Sequence, residues 1–295
     1  LYMAHPQQNN SFNKTISLAA VTAAVLLMFS FFGAPFVRVL ATTVRSSIFW
    51  GVGCFLVATL FVFNLSIASI YVGAVWMTLG FYSELEKRGT SWKKTGLLAL
   101  LAGLLFAVVC VIAITKGSVA GSDLVKNFML PLQEAMKQVM PAEEFLKFDI
   151  TQYLPGIFTA VLVSAIALSF IFEAKIFSLF SLKREKISSS MKWIEFRVPD
   201  IFIWFALFGF LFSIVDLKVP HLKIAAMNFS IFSIVVFFFQ GISAIEFMTR
   251  VYRTGFFTKI ALYMLILGWL GPAVSVVGLL DYWVNFRKMV RKKIK

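Results

Sequence analysis

IAAMNFSIFSIVVFFFQGISAIEFM, residues 224–248, is followed after a short basic turn (Arg250, Arg253) by FFTKIALYMLILGWLGPAVSVVGLL, residues 256–280. A helix rises 1.5 Å per residue and a bilayer's hydrocarbon core is about 30 Å thick, so roughly 20 apolar residues cross it. Each of these 25-residue runs is therefore long enough to span with some tilt. Along the first, Ser230, Ser233, Gln240 and Ser243 are spaced three or seven apart and fall on one helical face. In a Phe-, Ile- and Val-rich helix that face turns toward protein, because a polar group facing hydrocarbon finds no hydrogen-bond partner.

The whole chain reads the same way. Of 295 residues, 60% are hydrophobic and 14% charged, and Phe alone contributes 34, which places the chain outside the soluble globular range. Six further apolar runs, at about 16–36, 47–63, 66–83, 95–115, 154–173 and 199–215, join 224–248 and 256–280. The expected fold is all-α: a polytopic transmembrane bundle of about eight hydrophobic helices in a single integral membrane domain, 1–295. Runs two and three are parted only by Asn64-Leu65, and a tight hairpin is preferred over one bent helix too long for an ordinary bilayer. Residues 1–15 form a polar leader that does not resemble a cleaved signal, since the run behind it is itself long enough to span.

The segment 117–153 mixes acids and lysines with apolar residues at spacings of three and four, broken by Pro131 and Pro141. It reads as an amphipathic extramembrane helix, either closing a loop or covering a cavity. Residues 281–295 make a basic C-terminal tail, cationic from Arg287 onward. The formal charge of +14 comes from basic residues between and after the apolar runs, the placement expected beside anionic headgroups, and there is no nucleic-acid-binding motif. With eight full spans the basic residues divide evenly between the two sides. If the last run dips in and returns at Gly268-Trp269-Leu270-Gly271-Pro272, they fall mostly on one side.

Catalytic signatures are missing from the sequence. Cys54 and Cys110 lie in apolar runs without metal or redox spacing, and His5 and His221 have no acidic or Cys neighbours at ligand spacing. No Walker loop, GxSxG, GxGxxG or HExxH occurs, so the expectation is a non-enzyme with no metal and no cofactor. Polar groups inside the runs, such as Thr78, Ser164, Asn228 and Gln240, are neutral, and without charge at mid-depth a proton- or sodium-coupled pump is disfavoured. Acids sit at the ends of runs: Glu173, Asp216 and Asp281 read as interfacial, and Glu246 pairs with Arg250 one helical turn on. The neutral face makes Asn228, Ser233, Gln240 and Ser243 candidate ligand-binding residues for a small molecule or lipid. Ala19 and Ala23, overlapping Ala20 and Ala24, form small-xxx-small pairs that serve either internal packing or the docking of a partner subunit. Asp281, Trp283 and Arg287 make a dense junction of acid, aromatic and cation, either a clamp on the last helix or a docking surface.

Asn228, Gln240-Gly241, the stretch Gly278-Leu279-Leu280-Asp281-x-Trp283-x-Asn285-Phe286-Arg287, and Trp193…Arg197-Val198-Pro199 together resemble the YybS-like family of bacterial multi-pass membrane proteins of unknown function. An amphipathic insert before the Pro155-started helix is similar too. The family is distantly similar to the substrate-binding (S) components of energy-coupling-factor transporters. The resemblance implies a place in the bacterial cytoplasmic membrane, a bound small molecule, and a separate coupling subunit engaged through an AxxxA face, which Ala19-x-x-x-Ala23 matches. The alternative is a membrane scaffold or assembly factor that recruits partners through its basic loops and tail.

Overall fold

A computed structural model describes residues 17–26, 30–117, 134, 150–182, 193–215 and 219–294. The polar leader, nearly all of the amphipathic insert, Asp216 and residues 183–192 lie outside these residues. Among the described residues every regular element is helical. They are α1 (Ser17–Leu26), α2 (Ala34–Thr43), α3 (Ser46–Val62), α4 (Ser66–Lys87), α5 (Trp92–Gly117), α6 (Leu154–Leu179), α7 (Asp200–Ile214), α8 (Pro220–Val251), α9 (Phe256–Gly268), α10 (Gly271–Val284) and α11 (Phe286–Ile294). Short 3-10 turns occupy Ser30–Gly33, Ile150–Tyr153 and Trp193–Glu195.

The apolar runs sort by length. Among the described residues four helices are long and apolar enough to cross a membrane: α4, α5, α6 and α8. A fifth crossing arises if α9 and α10 count together, but these meet at a 98° bend, the geometry of a broken span or a re-entrant loop. Helices α1, α3 and α7 are apolar but shorter, so length and composition support four or five spans where eight runs were expected. The first run is not one helix, since α1 and α2 are separate elements with a 3-10 turn at the head of α2. The last breaks in the Gly268–Pro272 stretch, where Pro272 occupies the first turn of α10. Proline lacks the N–H that would continue α9, and its fixed φ suits a fresh helix start.

The helices also outrun the apolar windows at their C-terminal ends. Helix α4 continues past 83 to Lys87, α6 past 173 to Leu179, and α10 past 280 to Val284. Hydropathy ends where charges begin, whereas backbone hydrogen bonding continues as long as those charges find partners.

The chain groups into two compact units, Leu1–Ile150 with Ala165–Ser190, and Thr151–Ser164 with Met191–Lys295. In the first, α4 packs against α2, α3 and α5. Asn64 at φ 59° ends α3, a left-handed conformation that Asn tolerates better than most residues. The chain then turns back, and the α3–α4 hairpin closes with Phe49 stacked on Trp76 at 4.8 Å. The Trp76 indole N–H donates to the Phe49 carbonyl (3.2 Å) and the Ser69 hydroxyl to that of Val57 (3.0 Å). In the second unit, α8 packs against α7, α10 and α11. Its core holds Val198, Ile203, Ala206, Val236 and Phe237. On α7, Ile201, Trp204, Phe205, Phe208 and Leu211 form an exposed apolar face opposite buried Ile203 and Ala206. Leu97, Leu98, Leu101, Leu105 and Val108 do the same on α5. Water disfavours such continuous faces and hydrocarbon does not.

Candidate functional site

The neutral face of α8 is buried. Ser230 is 7% exposed, and Ser233, Gln240 and Ser243 are 0%. What these side chains touch divides them into two groups.

Three of the polar residues bond to backbone on neighbouring segments. The Asn228 carboxamide oxygen accepts from Gly156 N–H at 2.6 Å, and its nitrogen donates to the carbonyls of Gln152 (2.7 Å) and Ile224 (2.9 Å). Gly156 lies in the first turn of α6, where N–H groups have no intrahelical acceptor, so Asn228 caps that helix from another element. Gln240 accepts from Val198 N–H at 2.9 Å and donates to the Gly278 carbonyl at 2.7 Å, joining α8 to the lead-in of α7 and to α10. Ser243 donates to the Trp193 carbonyl (2.7 Å) and accepts from an Arg287 guanidinium N–H (3.1 Å).

Close backbone approach makes the Gln240 contact feasible. A Cβ on Gly278 would run into the Phe237 carbonyl and the Gly241 amide, and one on Gly241 into the Val274 carbonyl. These two glycines let α8 and α10 cross backbone to backbone.

Ser230 and Ser233 stand apart, because their buried hydroxyls have no hydrogen-bond partner among the described residues. Thr78 and Ser164, by contrast, satisfy themselves on the carbonyls four residues back, Ala74 and Ala160, the usual resort of a hydroxyl inside a helix.

The Asp281 junction is largely internal. Asp281 is 1% exposed; one carboxylate oxygen accepts from Phe286 N–H at the head of α11, and the other lies 3.7 Å from Arg287. A carboxylate at a helix N-terminus meets both an orphan donor and the favourable end of the dipole. Arg287 is buried, Trp283 is 52% exposed, and Asn285 makes the left-handed turn (φ 49°) between α10 and α11. Arg197, quoted above in the Trp193…Arg197-Val198-Pro199 motif, donates to the Tyr282 carbonyl at 2.8 Å. The segments around Trp193–Val198, Gln240–Ser243 and Gly278–Arg287 thus meet in one hydrogen-bonded knot. Ala19 and Ala23 are not part of it. On α1 they are half-buried, with Leu18, Thr22 and Leu26 buried and Ala20 and Ala24 exposed.

The Glu246–Arg250 pair forms at 2.7 Å, and Glu246 also accepts from the Tyr263 hydroxyl (2.5 Å) and contacts Lys259 (3.4 Å). Among the described residues no three His, Cys, Asp or Glu side chains gather as a metal site.

The expectation of only neutral groups inside the helices is corrected in the first unit. Arg38 on α2, 0% exposed, donates to Glu86 on α4 at 2.9 Å and lies 3.4 Å from Glu173 on α6. Its guanidinium carbon sits 3.9 Å from the Phe170 ring centroid and 5.1 Å from that of Tyr82. Glu86 and Glu173 are 2% and 3% exposed. Glu173 does not end its helix, because α6 runs on to Leu179. Nor does Asp281, which precedes the end of α10 at Val284. The signal available in the sequence was Arg38 itself, a cation set in the apolar stretch APFVRVL.

No curated protein and no solved structure matches the chain. Residues 14–282 match the family described as "Predicted membrane protein (DUF2232)", and the chain, whose described residues are helical with four or five membrane-length segments, belongs to that family of membrane proteins.

Proposed function

We propose that the protein is a non-catalytic integral membrane subunit that holds a small molecule or lipid against α8 and works with separate coupling or ATPase subunits, in the manner of an S component. The observation that carries this reading is the pair of buried hydroxyls, Ser230 and Ser233, without a hydrogen-bond partner among the described residues on a face whose other polar groups are engaged. A buried hydroxyl that makes no hydrogen bond loses about 1–3 kcal/mol relative to water, a deficit that a guest with one polar group among apolar ones would remove. The ligand-binding part of the polar face is then Ser230 and Ser233, while Asn228, Gln240 and Ser243 hold the framework. The outward Ala20 and Ala24, beside Ala19 and Ala23, supply the surface for a coupling subunit. This reading keeps the YybS-like resemblance, a bacterial inner-membrane location, and all eight apolar segments embedded in the membrane, the three short helices included.

Thermal unfolding of the detergent-purified protein against pools of neutral vitamins and lipids tests it. A ligand at 100 times its dissociation constant adds about 2.7 kcal/mol. Ser230→Ala with Ser233→Ala should abolish that shift without lowering basal stability. No shift with any pool removes the reading.

A scaffold role is the second reading, favoured by α11, which turns a run of basic residues into a helix directly after α10. Pull-down with and without residues 287–295 distinguishes the two, since only a scaffold loses its partners with the tail.

A further inference from the structure

The last apolar run leaves α8 and rejoins it at nearly the same level. On the way out, Lys259 and Tyr263 of α9 both contact Glu246 of α8, at 3.4 and 2.5 Å. On the return, Arg287 of α11 donates to the Ser243 hydroxyl at 3.1 Å. Ser243 and Glu246 are less than one helical turn apart, about 4.5 Å along the axis. Between these points α10 lies against α8 at Gly241 and Phe237, through Val274 and Gly278. Exit, crossing and return thus fall within about 14 Å of α8, half of the roughly 30 Å that a span must cover.

The α9–α10 pair has the composition and backbone bonding of a re-entrant hairpin. No charged residue occurs between Lys259 and Asp281. Helix α9 has 13 residues and α10 has 14, each about 20 Å long, and the two meet at 98°. The bend engages its own amides. Trp269 and Leu270 N–H both donate to the Leu265 carbonyl at 2.9 Å, and Val274 N–H donates to that of Leu270 at 2.9 Å. Backbone that leaves the helical path at membrane depth needs partners of this kind, since hydrocarbon supplies none.

Basic residues flank this hairpin at both ends. Arg250 and Arg253, after the apolar part of α8, are exposed, and so is Lys288 on α11, whose sequence continues Arg291-Lys292-Lys293. The two acids in residues 241–295 are engaged within the protein: Glu246 by Arg250, Lys259 and the Tyr263 hydroxyl, and Asp281 by Phe286 N–H and Arg287. That stretch holds no further acid to offset Arg253, Lys288 and the basic residues after it. We propose that α9 and α10 enter and leave the membrane on one side, and that the 250–253 turn and α11 thereby form a single surface for anionic phospholipid headgroups. Tyr252, Trp283, Val284 and Met289 are 60%, 52%, 45% and 45% exposed among these cations. Aromatic and apolar side chains interleaved with lysine and arginine fit the boundary where headgroups meet acyl chains, and an acidic protein surface would leave them in water.

Two measurements on the full chain test this. In spheroplasts, single cysteines made by Thr254→Cys and Lys295→Cys in a Cys54→Ala, Cys110→Ala background should behave alike toward a membrane-impermeant maleimide. If one reacts before permeabilisation and the other only after it, the proposal is overturned. Native mass spectrometry of protein released from nanodiscs of equal phosphatidylcholine and phosphatidylglycerol should show phosphatidylglycerol retained preferentially. That preference should weaken as salt is raised, because screening acts on exposed charges. Arg253→Gln and Lys288→Gln should each reduce it about fivefold, with phosphatidylcholine retention unchanged. Equal retention of the two lipids by the wild type, or a preference that neither salt nor the double variant reduces, overturns the proposal. Should the variants fail to fold, the salt dependence of the wild type decides by itself. A chain without lipid preference that binds an acidic protein through residues 287–295 would give the surface to a protein instead.

Discussion

Helices α4 and α8 both carry buried polar side chains, and they satisfy them in opposite ways. At the end of α4, Glu86 is held by charge, through an arginine that it shares with Glu173. Midway along α8, Gln240 is held by neutral hydrogen bonds to two backbone groups, Val198 N–H and the Gly278 carbonyl. A charge-based junction is strong only while complete, because removing one member strands the others in an apolar interior. An amide linking two backbone groups is individually weaker, and its loss leaves only dipoles unsatisfied. The first unit therefore concentrates its polar stability in a few atoms, and the second spreads it over several segments.

The sharpest way to break this comparison is at Arg38. Arg38→Met should destabilise by roughly 3–5 kcal/mol, since it removes the buried cation that two acids share. Adding Glu86→Gln and Glu173→Leu should recover most of that loss. Unfolding titrations in mixed micelles measure both, and a single mutant as stable as wild type would show the cluster to be hydrated.

Next in size is the crossing of α8 and α10. Gly278→Val places atoms where the Phe237 carbonyl and Gly241 amide already sit, and overpacking of this kind costs about 3 kcal/mol. A disulfide-trapping assay between the two helices should show reduced cross-linking.

Gln240→Leu probes the neutral bonds directly, with about 2 kcal/mol expected from the unpaired Val198 N–H and the lost bond to Gly278. Faster amide hydrogen exchange around Val198 is the accompanying sign. If this variant loses as much as Arg38→Met, the contrast between the units collapses. The smallest effect belongs to Arg250→Ala. Its pair with Glu246 is an i, i+4 bridge with the arginine 59% exposed, so about 0.3–0.5 kcal/mol is expected by thermal unfolding and should shrink with added salt.

Much of the fold was legible in the residues. Runs of apolar side chains at helical length marked where helices lie, because hydrocarbon burial is a property of composition and length. The spacing of Ser230, Ser233, Gln240 and Ser243 showed which way α8 turns, because helical period alone places them on one face. The hairpin at Asn64 and the break at Gly268–Pro272 followed from local backbone chemistry. The site was less legible. Helix ends were drawn where charges start, so Glu86, Glu173 and Asp281 were placed at boundaries or passed over, although each lies inside a helix and is buried.

Sequence by itself determined that this chain belongs among lipids, that it is helical, and that α8 has a polar face, since each depends on neighbours within one segment. Only tertiary structure decided what that face does and where the charges go. Arg38 and Glu173 are 135 positions apart, and Gln240 and Gly278 are 38. Whether such residues satisfy one another depends on which helices lie side by side, and helical periodicity carries no information about that.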